Sequence, residues 1–185
     1  MHFVNILVPV NLHLKDDQAA KLAIHIADPR YCVIHLISVV KPGSLLSVFE
    51  RNKICQEISG IGLRRFVKGM IYLSEIKAMI EMQKPSAIVK THICRSNHFP
   101  RAIVWYANRL AAQVVIIPET ENKRRCLFAR SVPAEYVAGR TNCKVVTCSQ
   151  GIFSLYEKRD SFVKYFQYGN GDQVVNTIGN YFAEN

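Results

Sequence analysis

The densest group of chemically capable side chains in this sequence is a run of cations, Lys123, Arg124, Arg125 and Arg130, just ahead of Ser131. Arginine grips phosphate or carboxylate through two parallel hydrogen bonds. A short helix capped by Ser131, with Pro133 near its start, would add unpaired N–H groups and a positive dipole end. The chemistry on offer is anion binding, and a solvated basic loop is the plainer alternative. Cys126 lies inside the run, where neighbouring cations lower the pKa of an exposed thiol; an ordinary loop or core cysteine is the competing reading. His92 and Cys94 share a strand face at a metal-like spacing, but no second ligand pair follows, so a buried strand is expected and zinc is not. His13 and His98 read as surface histidines. No G-x-S-x-G elbow, Walker A lysine loop or HExxH helix is present, and Ser131 has no evident base. A non-enzymatic protein is expected.

Composition narrows the class. The chain has 185 residues, 49% of them apolar, which suits one domain of ordinary size plus an extension. The longest apolar stretches, near 31–40 and 110–118, are far shorter than the roughly 20 residues a bilayer demands. No Lys or Arg precedes Lys15, and Asn5 and Pro9 interrupt the first apolar run. Neither a membrane span nor a secretion signal is expected, and the location implied is cytoplasmic. Six cysteines without a CxxC pair then read as free thiols. Charge is uneven. Residues 84–144 carry 11 Lys and Arg against three Glu, a net of +8. Such a field attracts anions, but no nucleic-acid-reading motif accompanies it, and nucleic acid is not the expected partner.

The elements that must hold these residues follow from periodicity. Phe3–Val10 and Tyr31–Val40 are apolar runs that read as buried strands. Asp16 and Asp17 open a helical pattern between them, closed at Asp28-Pro29. Continuous apolar runs mean strands covered on both faces, hence a parallel sheet. Residues 45–83 have a helical period, with Gly60 and Gly62 marking a break and Lys84-Pro85 the end. Ala87–Cys94 is a third strand, Pro100–Ala112 a helix, Val114–Pro118 a fourth strand and Lys144–Thr147 a fifth. Strands and helices alternate over residues 1–149, which predicts an open, doubly wound α/β domain with right-handed crossovers.

Residues 150–185 form a distinct extension. They hold eight of the 17 Phe and Tyr residues, so a free tail is not expected. Phe162–Tyr168 fits strand or helix, and Asp172 caps a helical spacing through Phe182. The extension packs on the domain or presents a surface to a protein partner or a second copy.

Several local motifs occur in the order typical of the universal stress protein family. Ile6-Leu7-Val8-Pro9-Val10 resembles that family's first strand. Ile34–Val40 resembles the second, Arg101–Ile117 its helix and fourth strand, and Ser131-Val132 with Lys144–Val146 its closing segment. The match covers residues 3–148. The resemblance implies a five-stranded parallel sheet in the order 3-2-1-4-5 with helices on both faces, like that of the adenine nucleotide alpha-hydrolases. It implies a homodimer through the edge strand Lys144, Val145, Val146 and Thr147, an unpaired edge being a natural pairing site. It also implies a nucleotide cleft at the carboxyl ends of strands 1 and 4. Pro9, Asn11, Val40, Arg95, Lys123, Arg124, Arg125, Arg130, Ser131 and Val132 are the candidate ligand-binding residues.

The departure lies in that cleft. ATP-binding members carry G-x2-G-x9-G-S/T after strand 4, where glycines let the backbone approach the phosphates. Here residues 118–131 contain no glycine. Pro118 stands near the first position, Arg130 replaces the glycine before Ser131, and Glu119 and Glu121 oppose phosphate. Asn11 replaces the usual Asp, and Arg95 stands where many members have Gly. No cofactor is therefore expected, and ATP is not carried over by default. The functions left open are a stress-response or regulatory protein working through partners, a sensor that binds a nucleotide or another anion with the basic loop, and a cytosolic regulatory domain of a transporter.

Overall fold

The computed structural model describes residues 4–10, 17–27, 32–40, 60–118, 133–149, 152–156 and 164–167. Strand β1 (Val4–Val10) leads into helix α1 (Gln18–Ile26), then β2 (Cys32–Val40), α2 (Gly60–Gln83) and β3 (Ile88–Arg95). Helix α3 (Phe99–Arg109), β4 (Val114–Pro118), α4 (Pro133–Ala138) and β5 (Lys144–Ser149) follow, and β6 (Ile152–Tyr156) and β7 (Lys164–Gln167) come last. The sheet runs β3-β2-β1-β4-β5-β6-β7. The first five strands pair in parallel, in the order 3-2-1-4-5 that the resemblance implied.

Side chains alternate across the sheet with the period of two that a strand imposes. Ile6, Val8, Ile34, Leu36, Val114 and Ile116 face one way, where α1 and α2 cover them with Ala20, Ala23, Leu73 and Ile80. Leu7, Ile37, Val115, Ile117 and Val145 face the other, against Ile103 and Ala107 of α3 and Ala134 and Val137 of α4. Fully burying one Leu, Ile or Val contributes about 1.5–3 kcal/mol, so the two faces together dominate the folding energy. In α2 the buried line is Leu73, Ile76 and Ile80, while Met70 is 51% exposed.

The helix ends differ in detail from the sequence reading. Asp17 stands at the N-cap of α1 but makes no capping bond, its carboxylate pairing instead with Lys21 at 2.8 Å. At the other end of α1, the Lys84 ammonium reaches in from the end of α2. It donates to the Ile24 carbonyl at 3.0 Å and to the Ala27 carbonyl. A cation is favourable there because the last carbonyls of a helix carry partial negative charge. Lys84 therefore ties two helix ends together, whereas the sequence marked only a stop.

The carboxyl-terminal residues change the sheet's edge. Val145–Ser149 of β5 pairs antiparallel with Ile152–Tyr156, and β6 pairs in turn with β7. Lys144–Thr147, expected as a free dimer edge, is thus not an edge: the chain's own β6 occupies the hydrogen-bonding side on which a partner strand would add. Phe162–Tyr168, open between strand and helix, contributes strand at Lys164–Gln167. The helix expected over 172–182 and the segment 45–59 lie outside the described residues. No described helix is long and apolar enough to cross a membrane.

Helix α3 stops earlier than its apolar pattern. Ala111 has φ +46°, and the N–H groups of Ala111 and Ala112 bond back to the Asn108 and Ala107 carbonyls at 3.2 and 2.8 Å. That is the paired-bond helix terminator, whose left-handed residue is ordinarily glycine because a Cβ is strained there. Ala111→Gly removes the strain at some cost in unfolded-chain entropy. The expected net gain is about 0.5–1 kcal/mol in a denaturant melt; an unchanged or lower midpoint contradicts this account of the turn.

Candidate functional site

Open α/β sheets bind ligands beyond the carboxyl ends of their strands, where the strand order reverses. Here that point lies between β1 and β4. Strand β2 pairs with β1 along Val4–Val10, but β4 is registered with β1 only at Ile6↔Val114 and Leu7↔Val115. Among the described residues their register pairs lie in the middle of β1 and at the start of β4. Pro9 and Val10 on one side and Pro118 on the other lie at the carboxyl ends of these neighbouring strands. Pro9 and Val10 are buried, and Pro118 is half-buried.

Of the candidate residues, the structure gathers Pro9, Val40 and Arg95 at the carboxyl end of the sheet. Val40 and Arg95 are register partners on β2 and β3. Val40 is buried and Arg95 exposed. Asn11, Lys123, Arg124, Arg125, Arg130, Ser131 and Val132 lie outside the described residues. Beside Arg95, the Ser96 N–H donates to the Val40 carbonyl at 3.1 Å, and the Ser96 hydroxyl accepts from the His98 N–H at 3.0 Å. These bonds turn the chain from β3 into α3, with His98 at the N-cap. Two buried hydroxyls in this half of the sheet, Ser38 Oγ and Thr147 Oγ1, have no partner among the described residues.

A second polar group was not legible in the sequence. His35 sits inside the apolar run of β2 and is 4% exposed. Its Nδ1 lies 3.0 Å from His92 Nε2 on β3, and its Nε2 lies 3.2 Å from Asn5 Oδ1 on β1. Asn5 Nδ2 donates to the Leu110 carbonyl at 2.9 Å, and the Asn5 N–H donates to Gln113 Oε1. The direction of the chain follows. Asn5 Oδ1 can only accept, so His35 Nε2 carries the proton. A neutral His35 then accepts at Nδ1, and His92 donates from Nε2. The two rings stack at 5.2 Å, and Tyr106 of α3 lies 5.6 Å from His92. His92 was read beside Cys94 as a weak metal pattern. No cluster of three metal-capable groups occurs among the described residues, and the partner of His92 is a histidine 57 positions away.

Burial, then the neighbouring His92 and Lys90, lower the His35 pKa to about 4. Burial and Lys90 also lower that of His92. Burial raises the Cys94 and Cys143 thiols, which makes both poor nucleophiles. For His35 the unfolded chain takes up a proton near pH 6.5 while the folded chain resists it until about pH 4. The stabilisation is present above pH 6.5 and is lost as pH falls toward 4, by up to about 1.4 kcal/mol per pH unit. Thermal melts between pH 7 and 4.5 should show this slope, and His35→Asn should flatten it. An equally steep slope in the variant would assign the acid sensitivity to other groups.

No protein-family model matches the sequence, and no curated protein matches it. Solved structures do match the fold. The universal stress protein UspA from Lactobacillus plantarum is 15% identical, with a TM-score of 0.57, over 80% of this chain and 99% of that one. A universal stress protein in complex with cAMP is 11% identical, with a TM-score of 0.57, over 80% of this chain and 98% of that one. The universal stress protein from Archaeoglobus fulgidus in complex with dAMP is 19% identical, with a TM-score of 0.53, over 80% and 98%. With its sheet order, its two covered faces and these matches, this chain has the universal stress protein fold.

Proposed function

We propose that this chain is a non-enzymatic, cytoplasmic regulatory or stress-response protein whose cleft does not hold ATP through a glycine cradle. The observation that carries the reading is Pro118. It ends β4 at the switch point, about where the first glycine of an ATP-binding member stands. Proline has no N–H to offer a phosphate, and its ring fixes φ. Residues 119–131 supply no glycine in compensation.

One observation favours a second reading, a nucleoside monophosphate sensor. The structural neighbours include proteins solved with cAMP and with dAMP. A single phosphate asks less of the loop than three, and Lys123, Arg124, Arg125 and Arg130 supply cations for it. Calorimetry and thermal shift with ATP, ADP, AMP, dAMP and cAMP, with and without Mg²⁺, separate the readings. At a hundredfold excess over Kd a ligand stabilises by about 2.7 kcal/mol. No response to any of the five is expected on the first reading. A response to AMP, dAMP or cAMP that Arg124→Ala and Arg130→Ala abolish supports the second. Tight ATP binding sinks the first.

The homodimer implied by the resemblance takes a changed form. Pairing through Lys144–Thr147 requires β6 to leave β5. Truncation after Ser149 is expected to uncover that edge and to produce self-association at concentrations where the full chain sediments as a monomer. A folded, monomeric truncation would reject pairing through β5.

A further inference from the structure

The two ends of the sheet are unlike. At one end β7 is four residues long and caps the hairpin that closes β5. At the other, β3 runs for eight residues, pairs with β2 on its inner side, and has no described strand beyond it. Alternate residues of a parallel strand turn N–H and C=O away from the inner neighbour, so this edge offers a row of backbone groups to an added strand.

Exposed apolar and cationic side chains lie on β3 and on α3, the helix that follows it in the chain. Ile88 at the start of β3 is 43% exposed, and Trp105 on α3, the next helix in the chain, is 51% exposed. Trp105 packs edge-on against Tyr106 at 4.8 Å, and Tyr106 in turn lies against His92 of β3. The exposed indole is thus joined to the strand through a chain of rings. The Arg109 guanidinium lies over Trp105 at 4.9 Å. Between Ile88 and Arg109 the chain carries Lys90, Arg95, Arg101 and Arg109 and no Asp or Glu. No ion pair to any of these four is present among the described residues. Trp and Arg are the residue types that carry most energy at protein interfaces.

We propose that the outer edge of β3 is a docking site for an acidic peptide in extended conformation, added to the sheet as a further strand. Backbone pairing supplies affinity, as in other strand-addition complexes, and the side chains supply selectivity. Ile88, Lys90 and His92 project to the α3 side of the sheet, because they alternate with the α2-facing Val89 and Ile93. An acidic side chain set against Lys90 or Arg109 and an apolar one against Ile88 or Trp105 match that side. Charge complementarity selects the acidic peptide over a second copy of the chain, whose own edge is equally basic. The backbone edge, unpaired among the described residues, selects a peptide over nucleic acid, which cannot continue a β-ladder. This site is separate from the nucleotide cleft and does not depend on how that cleft is filled.

Trp105 is the chain's single tryptophan, so its fluorescence reports on the site directly. The full chain is titrated with a ten-residue alternating Glu-Val peptide. Controls are the matching Lys-Val peptide, an acidic peptide of the same charge with proline at alternate positions, and a fifteen-nucleotide oligouridylate. The expected result is a blue shift with the Glu-Val peptide alone, weakened by salt. Lys90→Glu and Arg109→Glu should each weaken binding about tenfold or more. Both positions are exposed, and circular dichroism verifies the fold. Hydrogen exchange should slow at β3 amides in the complex. Equal binding of the proline peptide would show attraction by charge alone and overturn strand addition. Preferential binding of the oligouridylate, or sedimentation of the free chain as a dimer with Trp105 shielded, would overturn the assignment of the partner. No response to the Glu-Val peptide would overturn it outright.

Discussion

The constraint on which the rest depends is the parallel pairing of β1 and β2 in the middle of a sheet apolar on both faces. Neither strand can face water on either side. Helices must therefore cover both faces, and each crossover must travel far enough to bring the next strand back in the same direction. The alternation of strand and helix through β5 follows, as do the two separate cores beneath α1–α2 and α3–α4.

That burial also sets the terms for the polar groups inside. His35 lies in the heart of β2, where an unpaired imidazole would be costly. Asn5 and His92 on the flanking strands satisfy both ring nitrogens, and the same burial keeps the ring neutral. The helices are tied by a comparable arrangement. Lys84 offers its ammonium to the carbonyl end of α1, so the ends of α1 and α2 are held by charge as well as by apolar contact.

A sheet built this way ends in two strands with unpaired backbone, and the chain treats them differently. At β5 it spends its own residues on an antiparallel hairpin that closes the edge. At β3 it leaves eight residues flanked by exposed Ile88 and Trp105 and by cations. The first device covers, with the chain's own β6, the strand that the resemblance implied as a dimer edge. The second leaves β3 with no further strand beside it among the described residues.

Much of this was decided locally. Apolar runs such as Tyr31–Val40 and Val114–Pro118 specify buried strands by themselves, and the intervening helical periods specify crossovers. Those patterns specify an alternating α/β chain; the strand order and the switch point came from the family resemblance, and the sheet bears the order out. The departure from a glycine cradle is legible without coordinates, because a proline or an arginine changes backbone freedom wherever it stands. What only the tertiary structure decided involves groups distant in the chain. Nothing near His35 announces His92 or Asn5, nothing near Lys84 announces the end of α1, and Ala111 looks like one more helical alanine until its φ is seen. The resemblance implied that Lys144–Thr147 is an edge; the hairpin that covers it is specified elsewhere in the chain. Periodicity records which face of an element is apolar. Which partner meets that face, or that edge, is settled only when the whole sheet assembles.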